Sequence, residues 1–161
     1  MTSPAPDRDR PLRPSRALGL AVLACALLCL GQIRVDHSWG DDFAAYLMQA
    51  RSIATGTVAD EVARSRFTVE HSFAGLGPAT YPWGVPLLLA PVVRVFGVEP
   101  FPAKTIGIAS LCAFVLAFAS LSRRLLGGWE AVAIAATMGI APWYVGATNA
   151  IASDLPFLAV S

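Results

Sequence analysis

Two adjacent carboxylates, Asp41 and Asp42, and a third, Asp154, stand where long apolar runs meet polar sequence. A carboxylate can take a proton from an attacking hydroxyl, and a pair can hold a cation. Acids at such a boundary therefore point to general-base chemistry or metal binding. The same groups can also serve only as caps, Asp41 or Asp42 ahead of Phe43 and Asp154 just ahead of Pro156. Between them lies Tyr81-Pro82-Trp83-Gly84-Val85-Pro86. Its prolines set the backbone entering a short apolar helix and leave amides free near a surface. A plain interfacial turn is the other reading of that segment. His37 and His71 share the stretch, but no spacing supports a zinc motif. Cys25 and Cys29 are four apart on one helix face, and Cys112 lies in another apolar run. They read as small apolar residues facing lipid or a neighbouring helix.

The elements that must position these groups are apolar. Of 161 residues, 55% are hydrophobic and 14% charged, against about 25% charged in an average soluble domain. The apolar residues gather in long runs. Net charge is +1, which gives no electrostatic case for a nucleic-acid partner. The expected fold is all-α, a polytopic transmembrane helical bundle with juxtamembrane helices in its first external loop.

Residues 1–16, rich in Pro, Asp and Arg, read as a disordered cytoplasmic tail. The first span is expected over about 17–35, long enough to cross a hydrocarbon core of roughly 30 Å. Arg8, Arg10, Arg13 and Arg16 place its start in the cytoplasm. A cleaved signal peptide fits less well: the apolar run is too long, and Gly31-Gln32-Ile33 is a poor cleavage site. Further spans are expected over 104–122 and 127–147, with another starting near 151. Trp129 and Trp143-Tyr144 suit the interfaces of the span at 127–147.

Arg123-Arg124 form the strongest basic loop after the tail, so that loop is assigned to the cytoplasm. Residues 36–103 then form one external loop, and Asn149 and Asp154 also face outward. The apolar stretch 84–97, about 14 residues with Pro86, Pro91 and Arg94, is too short for an ordinary span. It is expected to lie along the membrane surface. In the opposite arrangement 84–97 crosses, and Arg123-Arg124 face outside. After the first span, a helix from Asp41 or Asp42 to about Ala54 is expected, ended by Gly56. Phe43, Leu47, Ala50 and Ala54 share one of its faces, and Phe43, Tyr46 and Leu47 would lie along the membrane surface.

Four segments together resemble GT-C glycosyltransferases, the superfamily that uses lipid-linked sugars and includes protein O-mannosyltransferases and aminoarabinose transferases. Asp41, Asp42, Tyr46, Ala50, Arg51 and Gly56 are similar to its first-loop acidic segment. Tyr81-Pro82-Trp83-Gly84-Val85-Pro86-Leu87-Leu88 is similar to its Tyr-Pro segment, with Trp83 in place of the second of two paired prolines. Leu121-Ser122-Arg123-Arg124-Leu125-Leu126-Gly127 is similar to its cytoplasmic turn, and Ala152-Ser153-Asp154-Leu155-Pro156 to its second acidic motif. The four occur in the family's order and cover about 36–158.

The resemblance implies a membrane enzyme that moves a sugar from a polyprenyl-phosphate donor to an acceptor on the external face. It implies catalytic roles for Asp41, Asp42 and Asp154, with Asp41 aligned to the first acid of the motif. It implies substrate-binding roles for Tyr46, Arg51, Tyr81, Pro82 and Trp83. The Tyr-Pro segment here has no Lys to grip a lipid phosphate, and Arg51 and Arg94 are the candidates to replace it. A divalent cation is left open, because members differ in needing one. The implied partners are the donor and membrane lipid, and the implied location is the cell membrane. Family enzymes have several times more spans, and the chain stops inside an apolar run. The expectation is therefore the N-terminal part of a longer enzyme, inactive alone. A non-enzymatic polytopic membrane protein or transporter is the competing class; it would account for the spans but not for acids at both outer mouths together with the Tyr-Pro segment.

Overall fold

A computed structural model describes residues 13–36, 42–73 and 79–161, and everything below concerns those residues. They fold as helices alone, without strands. Two helices are long and apolar enough to cross a membrane: α1 (Pro14–Gln32), and α6 (Thr105–Ser122) with the short α5 (Pro100–Ala103) leading into it. At 1.5 Å per residue α1 is about 28 Å long, close to a hydrocarbon core. It starts at Pro14, three residues before the expected 17. Proline suits the first turn, where its missing N–H would have no helical partner in any case. It ends at Gln32 instead of Val35 because Asn149 takes over the backbone there. The Asn149 side chain accepts from the Arg34 N–H at 2.7 Å and donates to the Gln32 carbonyl at 3.2 Å.

α1 and α6 pack with α7 (Gly128–Gly139), α8 (Pro142–Ala147) and α9 (Asp154–Val160). Leu18, Cys25 and Cys29 of α1 meet Leu111, Val115 and Ala119 of α6 and Val132 and Ala135 of α7. Leu20, Leu23, Leu27 and Leu30 point away from that core and are exposed along the whole of α1. Such a helix has two apolar sides, one for its neighbours and one for lipid. Helices in lipid associate through small residues that let backbones approach, and Gly139 serves that purpose here. A Cβ there would sit 2.9 Å from Cγ2 of Val115, and the Gly139 carbonyl accepts from the Cys25 thiol at 3.1 Å.

The run expected as one helix over 127–147 is two, α7 and α8, separated at Ile140–Ala141. Pro142 explains the break. It has no N–H for the carbonyl of Met138, and its ring would collide with that carbonyl in a continuous helix. Pro142 therefore starts a new helix after the extended Ala141.

The chain runs up and down through this bundle. The start of α7 lies by the start of α1, since a Cβ on Gly128 would be 3.4 Å from the Pro14 ring. Asn149, beyond α8, is at the far end of α1. Arg13, Arg16, Arg123 and Arg124 thus cluster toward one end, and the starts of α6 and α9 lie at the other.

At that second end sit α2 (Phe43–Thr55), α3 (Val58–Glu70) and α4 (Gly84–Phe96). α2 and α4 run side by side in the same direction. Tyr81, just ahead of α4, is bonded to Asp42 at the start of α2 and to Gln49 in its middle, and the helix ends are joined through Arg94 and Ala54. Tyr46, Leu47 and Ala50 of α2 pack on Val85, Leu89 and Val93 of α4, with Ala103 and Ile151 of the bundle beneath. Tyr46 is 4% exposed and Leu47 2%, so they are covered by α4 and do not lie on a surface. Gly56 ends α2 at φ 74, the left-handed turn that glycine makes without strain. α3 is polar and was not anticipated.

Candidate active site

α2 presents Asp42, Tyr46 and Gln49 at i, i+4 and i+7, a single helical face, and that face meets Tyr81. Gln49 is buried and its amide grips the Tyr81 backbone twice. It donates to the Tyr81 carbonyl at 3.0 Å and accepts from the Tyr81 N–H at 3.1 Å. The Tyr46 ring stands edge-on against the Tyr81 ring, centroids 5.3 Å apart. So held, the Tyr81 hydroxyl donates to Oδ1 of Asp42 at 2.6 Å, across 39 residues of chain. Asp42 occupies the N-cap of α2, yet its side chain makes no capping bond. The carboxylate is exposed and offers about four acceptor positions, so one phenol does not exhaust it.

Asp42, Gln49 and Tyr81 line a cavity of about 580 Å³ between α2 and α3. Its far wall carries Glu61 and Arg64, paired at 3.0 Å. This is space for a sugar-sized ligand, with a carboxylate, a phenol and an ion pair on its walls.

Asp41 and His37 lie outside the described residues. Asp154 is the first residue of α9, exposed, at the same end of the bundle as Asp42. It lines a different crevice, among Val85, Leu89, Gly107 and Leu155. The two acids thus share an end but not a cavity. Pro82 is exposed and Trp83 half-buried; Trp83 starts α4 through its carbonyl, which accepts from Leu87 at 2.9 Å. Tyr46 sits behind Tyr81, out of reach of the cavity. Arg51 is exposed toward the other end of α2, about 14 Å along the helix from Asp42 at nine residues' rise. His71 stacks on Phe67 at 4.1 Å and bonds its own helix through the Phe67 carbonyl. Among the described residues no three His, Cys, Asp or Glu side chains are grouped to hold a metal ion.

Three residues that organise this end escape a reading of motifs. Gln49 is a single amide on a buried helix face, and Asn149 is a half-buried amide in the turn after α8. Lys104 looks like a flanking charge but is 1% exposed, its ammonium donating to the Arg34 carbonyl at 2.8 Å and to the Asp36 carbonyl. It ties the start of α6 to the strand of chain that leads toward Asp42. Its buried charge is answered by those carbonyls, and no buried side-chain N or O among the described residues lacks a partner.

The bond to the Asp42 carboxylate, followed by burial, pushes the Tyr81 phenol above its ordinary value of 10.0. The neutral phenol is the donating form. Its contribution to stability is complete below pH about 10 and is lost as pH rises through the higher folded value. The tyrosinate absorbance that distinguishes the wild type from Tyr81→Phe is expected to appear only above pH about 10. In an Asp42→Asn background it should move back toward the ordinary range. An unchanged titration in that background would show that the carboxylate does not govern the phenol.

Comparison with protein-family models, with curated proteins and with solved structures found no match to this chain.

Proposed function

We propose that the chain belongs to a polytopic membrane glycosyltransferase that takes its sugar from a polyprenyl phosphate and works on the external side of the membrane. The observation that carries this reading is the contact between Asp42 and Tyr81 at the mouth of a cavity. Those residues come from the segments that resemble the GT-C first-loop acidic segment and its Tyr-Pro segment. The carboxylate makes no capping bond and keeps acceptor positions open toward the cavity.

In the proposed reaction the acceptor hydroxyl attacks the anomeric carbon and its O–H proton passes to the carboxylate, Asp42 or its neighbour Asp41. The bond from that carbon to the phosphate oxygen breaks, and the electron pair leaves with the polyprenyl phosphate. The lipid tail stays in the bilayer throughout, and the headgroup reaches the cavity at the bundle's end. Asp154, in the crevice at the same end of the bundle, completes the site. Arg13, Arg16, Arg123 and Arg124 face the cytoplasm in this arrangement, in keeping with the preference of basic loops for that side. α1, α6 and the broken α7–α8 pair are then successive passages through the membrane, and α9 begins the next.

The test is transfer of radiolabelled sugar by the full-length protein, reconstituted in vesicles with a polyprenyl-phosphate sugar. Label is expected in a lipid-free acceptor, with release of polyprenyl phosphate. Release of neither, with a panel of hexose and pentose donors and hydroxyl acceptors, would sink the enzymatic reading and favour a non-enzymatic membrane protein.

A further inference from the structure

The ends of α2 and α4, opposite the Asp42 cavity, bring two arginines from distant parts of the chain together. Arg51 and Arg94 line one crevice of about 430 Å³, with Thr55, Gly97 and Val98. None of the residues lining it is acidic. Arg94 is set in place by a bond from its Nη1 to the Ala54 carbonyl at 3.2 Å, which uses one of five guanidinium donors. Beside the crevice, α4 turns an apolar face outward. Val95 is 73% exposed and Phe96 60%, and Leu87 and Leu88 stand open further back along the helix. A soluble protein would cover such residues or replace them.

A basic crevice at the foot of an exposed apolar helix matches an amphiphile with an anionic head and hydrocarbon tails. We propose that Arg51 and Arg94 bind the phosphate of an anionic phospholipid, whose acyl chains run along Leu88, Val95 and Phe96. Each guanidinium keeps its charge at any working pH and can donate to phosphate oxygens. The occupant is a lipid of the surrounding leaflet and not the group being transferred. Arg51 lies about 14 Å along α2 from Asp42, too far for one phosphate to serve both ends. The site would hold the α2–α4 layer against the membrane surface, and it does not depend on the glycosyltransferase reading.

Full-length protein in neutral detergent is titrated with a fluorescent phosphatidylglycerol. A phosphatidylcholine analogue and inorganic phosphate are run in parallel. The wild type is expected to bind phosphatidylglycerol roughly 30-fold more tightly than an Arg51→Gln/Arg94→Gln double variant, the effect of two basic groups at an anionic surface. An Arg51→Lys/Arg94→Lys variant keeps the charge and should recover most of that binding. Equal binding by the Gln variant would overturn the proposal. So would displacement of the lipid by inorganic phosphate at comparable concentration, which would mark a soluble-anion site. Equal binding of phosphatidylcholine would do the same, since it would remove the role of net charge. If the Lys variant fails as badly as the Gln variant, the loss reflects altered packing and the proposal falls.

Discussion

Asp42→Asn in the full-length protein is expected to slow sugar transfer by about 10²–10⁴-fold while leaving the fold and membrane insertion intact. The separation of these effects comes from what the carboxylate does in the structure. Asp42 sits at the N-cap of α2, where Asn is as good a residue as Asp. Its side chain makes no capping bond, so no cap is lost. The Tyr81 hydroxyl, which donates to Oδ1 at 2.6 Å, can still donate to an amide oxygen, more weakly. The Gln49 clamp on the Tyr81 backbone is untouched. A neutral amide cannot accept the proton of an attacking hydroxyl, so only the chemistry should fail. Asp41→Asn is the necessary companion, since either of two adjacent acids can be the base. A large loss in one variant and a small one in the other identifies which. Membrane levels by immunoblot and an unchanged thermal midpoint confirm that the protein is folded. Near-normal transfer by both variants would reduce the acids to surface groups and remove the catalytic assignment.

How far the architecture could be read from the residues depended on where periodicity carried information. α2 was legible from the apolar face of Phe43, Leu47 and Ala50 and from the stop at Gly56. α4 was legible as a short apolar helix between Trp83 and Gly97, both of which bound it in the structure. α3 was not. Its sequence, VADEVARSRFTVE, alternates charge with small residues and shows no continuous apolar stripe. It follows the turn at Gly56 and Thr57 and packs against α2, and the Glu61–Arg64 pair one turn apart adds to it. The break between α7 and α8 was readable from Pro142, but the aromatic pair Trp143-Tyr144 suggested a span end further on. Of the site, the motifs pointed to Asp42 and Tyr81 without saying that they touch. That contact depends on Gln49, whose type carries no signal until α2 and α4 are side by side. Asp154 shares an end of the bundle with Asp42 but lines a crevice of its own among Val85, Leu89, Gly107 and Leu155.

Lys104→Met is expected to destabilise the protein by about 2–4 kcal/mol, with the damage centred on residues 34–36. Burying an ammonium costs several kcal/mol, so the lysine is tolerated only because its donors are used. Lys104 is 1% exposed, and it donates to the carbonyls of Arg34 and Asp36 just past the end of α1. Bonds from a charged donor contribute about 1.5–3 kcal/mol each. A cation at a helix C-terminus adds roughly 0.3–1 kcal/mol through the helix dipole. Methionine fills a similar volume and avoids the desolvation cost, so part of the loss is returned. It cannot donate, however, and the two carbonyls then depend on water. Arg34 and Asp36 are exposed, so water can solvate the freed carbonyls, but the chain there is no longer held to α6. The Asn149 bonds to Gln32 and Arg34 remain and confine the change to the residues beyond α1. Thermal unfolding in detergent measures the loss, and limited proteolysis locates it. Faster cleavage next to Arg34 with little change in α1 is the expected pattern. A variant that unfolds at the wild-type temperature and is cleaved no faster there would show that packing alone holds the exit of α1, and that the lysine is a charge the fold endures without using.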